Sequence, residues 1–312
     1  MIAVKNLTRQ FGHLTAVDAV SFDIHPGDVV GFLGPNGAGK STTMKMLTGF
    51  LTPTSGSIVI DEHTIGDESL AIKSKIGYLP EGAPAYGDMT VFQFLDFIAS
   101  ARKLKGAYKK ERLKAVIGDL SLESVLNRHI DNLSKGFKRR VGLAQALVHD
   151  PKILILDEPT DGLDPNQKHQ VRNLIKALAK DKIVIISTHI LEEVTAVCNR
   201  VMVIAKGKIR FNGTPKAFQQ QSRYYQAVTL SLSYAADISG LAELDGVAEM
   251  EIDKATGNVT LFPEPGHLIL NAVAEHIQLR RLPVDELHVE TGRLDDVFRQ
   301  ITCDEDGEGE AA

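Results

Sequence analysis

The stretch Gly34-Pro35-Asn36-Gly37-Ala38-Gly39-Lys40-Ser41-Thr42 decides how the rest of the chain is interpreted. It follows an apolar, β-branched run and precedes a helix-like segment. Glycines at these positions let the backbone curl so that successive N–H groups point inward at phosphate oxygens. In this strand-to-helix context the pattern predicts a site for a nucleoside triphosphate. Lys40 would then reach the outer phosphates, and the Ser41 hydroxyl would bind Mg²⁺.

An acidic pair later in the chain supplies the second half of such a site. Asp157 and Glu158 come directly after the apolar run 153–156. A carboxylate at a strand end can hold Mg²⁺, and its neighbour can orient or deprotonate an attacking water. Two exposed acids at a strand end are also common without any such role. Because the phosphate-binding pattern occurs in the same chain, we predict a metal-binding Asp157 and a general base at Glu158.

The composition is that of an ordinary globular protein. The 312 residues are 43% hydrophobic and 24% charged, and the two cysteines are Cys198 and Cys303. So few cysteines indicate a reducing compartment. The N-terminal residues have a strand pattern rather than a signal-peptide pattern, and no apolar run approaches the roughly 18 residues of a membrane span. We therefore expect a cytoplasmic chain, with any membrane span supplied by another subunit.

The net charge of −5 comes from the end of the chain. Lysine and arginine together number 35, and aspartate and glutamate 40. Five of these acids lie within residues 303–312, which contain no base, so the remainder balances to zero. This balance implies no strongly basic face, which argues against nucleic acid as the main partner. Residues 303–312 are predicted to be a disordered acidic tail.

The order of strand and helix patterns predicts an α/β fold. Strand patterns on both sides of the phosphate-binding stretch, with a hairpin-type turn at Pro26-Gly27, predict an antiparallel β subdomain. Helical periodicity dominates residues 82–150, with Thr90 as an N-cap. Alternating strands and helices then predict a parallel sheet covered by helices. Residues 1–220 would form this nucleotide-binding domain, and 223–302 a small α+β domain.

The segment Leu133-Ser134-Lys135-Gly136-Phe137 precedes a helix and lies between the two halves of the predicted site. With this segment the order of motifs resembles the ATP-binding cassette family, the nucleotide-driven subunits of ABC transporters. Their signature is L-S-G-G-Q-like, so Lys135 replaces the first glycine and Phe137 the glutamine. The resemblance implies a head-to-tail dimer in which Ser134 and Gly136 of one copy contact ATP bound by the other. Taken alone, the segment also fits a helix capped by Ser134.

Further matches to the family extend over roughly residues 1–215. The resemblance implies that Phe11 stacks on adenine, although a core phenylalanine at a strand end is the alternative. Glu81 stands where the family usually has a glutamine near Mg²⁺, and its carboxylate could bind metal or water. Asp164 matches the acid of the loop that crosses the dimer. His189, at the end of a strand pattern, matches the histidine that contacts the γ-phosphate.

A narrower resemblance concerns the ATPases of ABC-2-type exporters. It rests on residues 77–81, the signature, and residues 294–298, although the last also fit a packing stripe. It implies an ATP-hydrolysing subunit that drives a separate integral-membrane permease from the cytoplasmic face through ATP-dependent closure of the dimer. A regulatory or non-transport cytoplasmic ABC ATPase is the alternative, and a small-molecule P-loop kinase would have no use for the signature or for His189.

Three aromatic residues, Tyr86, Phe92 and Phe97, lie off the apolar helical stripe that follows Glu81. In the family this region grips a short helix of the membrane subunit. One hypothesis is therefore that these aromatics line a groove for the permease. Packing within the helical insertion is the alternative.

Overall fold

The computed structural model describes residues 1–65, 69–83, 85–234 and 236–303. The chain divides into two compact units, Met1–Pro215 and Lys216–Ala312. Of the predicted acidic tail, Cys303 is the last residue of a helix, and residues 304–312 lie outside the described residues. No helix in the described ranges combines the length and the apolar character needed to cross a membrane.

The strands of the first unit are, in chain order, β1 (Ile2–Phe11), β2 (Leu14–Ile24), β3 (Val29–Leu33), β4 (Ser55–Ile60), β5 (His63–Thr64), β6 (Ile76–Leu79), β7 (Ile153–Asp157), β8 (Ile183–Thr188), β9 (Arg200–Ala205) and β10 (Lys208–Gly213). Its α-helices are α1 (Lys40–Leu47), α2 (Ser69–Lys75), α3 (Val91–Ala101), α4 (Gly106–Asp119), α5 (Lys135–Leu147), α6 (Pro165–Leu178) and α7 (Leu191–Val197). Short 3₁₀ turns occur at Glu123–Val125 and Ile130–Asn132.

The main sheet has the strand order β10-β9-β3-β8-β7-β6 and is parallel except for the pairing of β10 with β9. Every residue of β3, β7 and β8 is buried, as expected for parallel strands that are covered on both faces. The register sets Leu33 beside Thr188 and Asp157 beside Ser187. The carboxyl ends of β3, β7 and β8 therefore meet at one edge, where α/β folds bind ligands.

A second, antiparallel sheet has the order β2-β1-β4-β5. Its apolar face shares one core with α1 and the main sheet, which includes Ile2, Phe22, Met44 and Ile155. The predicted antiparallel subdomain is therefore confirmed. The hairpin expected at Pro26-Gly27 is wrong, because β2 pairs with β1 whereas β3 enters the buried parallel sheet.

Helices α3, α4 and α5 lie between β6 and β7 in the chain and pack against one another. Thr90 begins α3 with a capping box: its side chain accepts a hydrogen bond from the Gln93 backbone N–H, and the Gln93 side chain accepts one from that of Thr90. The predicted N-cap and the predicted helical insertion are confirmed.

The second unit is a small α+β fold. Its elements are β11 (Val228–Leu232), β12 (Val247–Ile252), β13 (Val259–Pro263), α9 (Leu270–Arg280), β14 (Val284–Val289) and α10 (Leu294–Cys303), preceded by α8 (Pro215–Gln219) at the point of division. The sheet is antiparallel, with the order β12-β13-β11-β14. Leu230 and Leu261 from the sheet and Val273 from α9 belong to its core, so α9 covers one face of the sheet.

Candidate functional site

The phosphate-binding stretch lies between the end of β3 and the start of α1. Gly39 has a φ of +106°, and a Cβ atom there would collide with the carbonyl oxygen of Ala16, so only glycine fits. The Lys40 Nζ donates hydrogen bonds to the carbonyl oxygens of Gly34 and Pro35, at 2.7 and 3.1 Å. The lysine thus spans the loop from inside, and the loop opens on the N-terminal end of α1, which favours anions.

Lys40 is the electrostatic centre of this edge. Its side chain is buried, and burial lowers the pKa of the lysine ammonium from its usual value. The negative charges of Glu158, Asp157 and Glu81 act in the opposite direction and favour the charged form. The structure therefore brings together around one lysine the three carboxylates that the sequence assigns to the site.

Glu158 and His189 are in direct contact. The Nδ1 of His189 donates a hydrogen bond to Glu158 Oε1 at 2.7 Å, and the His189 side chain remains 60% exposed. Glu158 has a φ of +54°, a region that non-glycine residues rarely adopt and that is enriched at functional sites. The backbone N–H of Glu158 donates to the carbonyl of Ser187 at 2.9 Å, which fixes this conformation. We call Lys40, Asp157, Glu158 and His189 the strand-end cluster.

Asp157 is the most buried carboxylate of the cluster, with 2% of its surface exposed. Its Oδ2 and the nearby Ser187 Oγ are buried and find no hydrogen-bond partner among the described residues. A buried carboxylate oxygen without a partner is costly unless a positive group meets it. The Asp157 and Ser187 oxygens are therefore suited to bind Mg²⁺, a cation that prefers oxygen ligands.

Arg139, on α5, has a place in the site that sequence reasoning missed. It is 4% exposed, its Nη2 donates to the backbone carbonyls of Asp157 and Glu158, and its Nη1 donates to that of Pro80 at 3.2 Å. Burial lowers the pKa of its guanidinium from the usual value. It joins the ends of β6 and β7 and so fixes the backbone of both acids. The helical spacing of Gly136, Arg139 and Leu143 on one buried face is the signal that could have revealed it.

Phe11 and Glu81 lie at more exposed positions. Phe11, the last residue of β1, is 45% exposed, and the Arg9 guanidinium lies 4.6 Å from the centre of its ring. It is not a core phenylalanine, so the alternative interpretation of this position is wrong. Glu81 follows β6 and is exposed.

The signature segment, residues 133–137, contacts its own helix and the region around the start of α6. Ser134 is the N-cap of α5, and its Oγ accepts a hydrogen bond from the Phe137 N–H at 3.3 Å. A Cβ atom on Gly136 would lie 2.7 Å from Gln167 Oε1 and 3.4 Å from the carbonyl oxygen of Gly162, so the segment packs against the loop before α6. Asp164 caps α6 by accepting from the Gln167 N–H at 2.9 Å. Ser134, Gly136 and Asp164 therefore lie at or near the N-terminal ends of α5 and α6, and we call them the second group of predicted site residues.

Comparison with known proteins identifies the family. The family described as "ABC transporter" matches residues 17–161. An uncharacterized ABC transporter ATP-binding protein of Bacillus subtilis, YxlF, is 32% identical over 301 residues, which cover 96% of this chain and 99% of that protein. Nod factor export ATP-binding protein I of Paraburkholderia xenovorans is 35% identical over 217 residues, which cover 69% of this chain and 71% of that protein.

A solved structure is similar as well. It is a dimeric ATP-binding cassette in a post-hydrolysis state, bound to ADP and Pi, with a TM-score of 0.64 and 25% identity over 69% of this chain and 99% of that chain. The near-complete coverage of YxlF includes both units of the present fold. The chain therefore belongs to the ABC transporter family, as an ATP-binding subunit that hydrolyses ATP.

Proposed function

We propose that this chain is the ATPase subunit of an ABC-2-type exporter and that it drives a separate membrane permease from the cytoplasmic face. The observation that carries the ATPase part of the proposal is the hydrogen bond between Glu158 and His189, beside the phosphate loop at the carboxyl edge of the sheet. The export function of the Nod factor relative and the narrower sequence resemblance support the direction of transport.

In the proposed mechanism ATP binds with its phosphates along the loop 34–42, and its adenine stacks on Phe11. Lys40 compensates the charge of the outer phosphates, which is the main contribution a protein makes to phosphoryl transfer. Ser41 and Asp157 would hold Mg²⁺, with Glu81 nearby, and the ion when bound would neutralise developing phosphate charge. The buried Asp157 Oδ2, which has no hydrogen-bond partner in the part of the chain that the structure describes, supports this assignment.

Glu158 is the proposed general base for the attacking water. Its carboxylate accepts a hydrogen bond from His189, which orients the group, and its backbone is fixed by Ser187 and Arg139. His189 would contact the γ-phosphate. Glu158 and His189, which follow the neighbouring strands β7 and β8, would then position the water in line with the breaking bond.

The second group of residues completes the site from another copy. In a head-to-tail homodimer, Ser134 and Gly136 of one chain would close on the ATP bound by its partner, and Asp164 would lie in the loop that crosses the dimer. The position of Ser134 at the N-terminus of the thirteen-residue helix α5, where backbone N–H groups favour anions, supports this. Closure on ATP would be the step that moves the permease.

An apolar groove of about 790 Å³ supports a permease site. Tyr86, Phe94 and Ile98 line it, as does Phe50, which is 78% exposed. Tyr86 also packs edge-on against Phe97, whereas Phe92 and Phe97 are not among the lining residues. We expect Tyr86→Ser to retain ATP hydrolysis but to lose co-purification with a membrane subunit, and intact co-purification would contradict the groove assignment.

The substitution Glu158→Gln tests the catalytic assignment. We expect it to abolish phosphate release while ATP binding persists, and to trap the dimer on ATP in size-exclusion chromatography. Glu192→Gln, an exposed glutamate on α7, is the control and should behave as wild type. Full hydrolysis by Glu158→Gln would refute the assignment.

A further inference from the structure

Glu193, on α7, is a buried carboxylate to which neither the sequence motifs nor the proposed mechanism gives a role. It is 4% exposed. The Thr160 hydroxyl donates to its Oε1, the Thr188 hydroxyl donates to its Oε2 at 3.1 Å, and Lys168 Nζ lies 3.8 Å from Oε1. A buried carboxylate persists only when its oxygens are paired in this way. Its partners therefore explain its burial.

The positions of these partners are informative. Thr160 lies two residues after Glu158, and Thr188 lies directly before His189. The Thr188 hydroxyl also accepts a hydrogen bond from the Ile190 N–H at 3.1 Å, so the proton it donates goes to Glu193. Both bonds thus end on segments that carry one member of the Glu158–His189 pair.

Lys168 extends this network to a third segment. It lies in the first turns of α6, the helix that Asp164 caps, and its side chain is 30% exposed. The single carboxylate of Glu193 therefore connects the loop after β7, the end of β8 and the helix that follows the proposed dimer loop.

We propose that Glu193 is a positioning residue for ATP hydrolysis. It holds Thr160 and Thr188 so that Glu158 and His189 keep the spacing of their 2.7 Å hydrogen bond. Glu193 touches neither the substrate nor the reacting atoms in this role. The inference rests on the proposed roles of Glu158 and His189, because only then does their spacing govern the rate. Misplacement of a catalytic group by about 1 Å can lower a rate on the order of 10²-fold.

The threonines allow a test that leaves the buried charge in place. Thr160→Val removes one hydroxyl at nearly constant shape, whereas Thr160→Ser keeps it. We expect Thr160→Val to lower kcat about tenfold at unchanged KM for ATP, and Thr160→Ser to retain wild-type kcat, because only the hydroxyl bond to Glu193 differs. ATP affinity measured with a fluorescent analogue should agree within about twofold between the two variants.

Glu193→Gln closes a double-mutant cycle with Thr160→Val. We expect at least a tenfold loss of kcat in Glu193→Gln, because glutamine keeps a single acceptor oxygen for the two threonine hydroxyls and no charge opposite Lys168. The loss in the double variant should be smaller than the product of the two single losses, because both changes affect the bond between Thr160 and residue 193. Glu192→Gln, a neighbour on the exposed side of α7, is the matched control and should leave kcat unchanged. If thermal denaturation shows that Glu193→Gln is not folded, the comparison of Thr160→Val with Thr160→Ser tests the inference by itself.

Three results would overturn the inference: a folded Thr160→Val with wild-type kcat, a rise in KM without a fall in kcat, or additive losses in the cycle. Glu158→Gln is assayed alongside. Full hydrolysis by Glu158→Gln would contradict the proposed function. If Glu158→Gln is inactive but Thr160→Val has the wild-type kcat, only the role of Glu193 is contradicted.

Discussion

The strand-end cluster and the signature segment are built in different ways. In the cluster, Glu158 and His189 are separated by 31 residues in sequence, yet their functional atoms bond to each other. In the signature segment, the Ser134 hydroxyl bonds to the backbone of its own helix. The cluster is thus organised within one chain, whereas the signature segment presents a helix N-terminus with no phosphate loop of its own. This difference supports a site assembled from two copies.

The largest expected effect on ATP hydrolysis comes from disabling the strand-end cluster in one copy of the dimer and the signature segment in the other. We expect Lys40→Ala to lower hydrolysis on the order of 10²–10³-fold, because it removes the buried positive charge of the cluster. Ser134→Ala should also be inactive in the dimer. A mixture of the two variants should regain phosphate release, because each mixed dimer contains one site with an intact Lys40 from one copy and an intact Ser134 from the other.

The matched control mixes Lys40→Ala with Glu158→Gln, whose defects lie in the same region. Such mixed dimers have no intact site, so phosphate release should stay at background. Recovery in neither mixture would contradict a site shared between copies, and recovery in both would show that the regions are not distinct.

The second prediction concerns the attachment of α5, which carries the signature segment, to the main sheet. Just beyond α5, His149 donates from Nε2 to the carbonyl oxygen of Ile76 at the start of β6, at 3.1 Å. Burial, with a further contribution from the positive charge of Arg102, lowers the pKa of His149 to about 4 from its usual 6.5. The imidazole is therefore neutral in the folded protein at pH 7.

The His149 imidazole takes up a proton more readily in the unfolded chain than in the folded protein. His149 therefore costs no folding stability above about pH 6.5, and its unfavourable contribution grows as the pH drops towards 4. We expect His149 to contribute up to about 3 kcal/mol to the resulting fall in stability. Urea unfolding of His149→Gln at several pH values should show a flatter profile over this range. His13→Gln, at an exposed histidine, should leave the wild-type profile unchanged. An identical slope in His149→Gln would contradict the assignment.

The smallest expected effect is at Asp164, where the proposed dimer loop meets α6. Asp164→Ala removes the N-cap and should cost about 1 kcal/mol, or roughly 2–4 °C in Tm. Asp164→Asn keeps the cap and should retain the wild-type Tm. A fall in hydrolysis for the asparagine variant would assign the charge a role beyond capping, whereas an unchanged Tm for the alanine variant would contradict the capping geometry.

Local patterns predicted much of the fold correctly, for reasons visible in particular residues. The apolar runs of β7 and β8, which alternate with helix patterns, predict buried parallel strands because both faces of such a sheet are covered. The turn at Pro26-Gly27 was misassigned as a hairpin because a local turn signal cannot specify which sheet the next strand joins. The helical spacing of Arg139 indicates that it is buried, but it does not identify its partners, because these are backbone carbonyls and have no sequence signature.

The sequence by itself determined the phosphate loop, since its glycines and Lys40 act through local backbone geometry, and it placed Asp157 and His189 at strand ends. Only the tertiary structure decided that Glu158 bonds to His189 and that Glu193 joins the segments behind them. These contacts depend on β7 and β8 being neighbours in register. Strand order is set by packing of the whole sheet, and a short-range periodicity does not encode it.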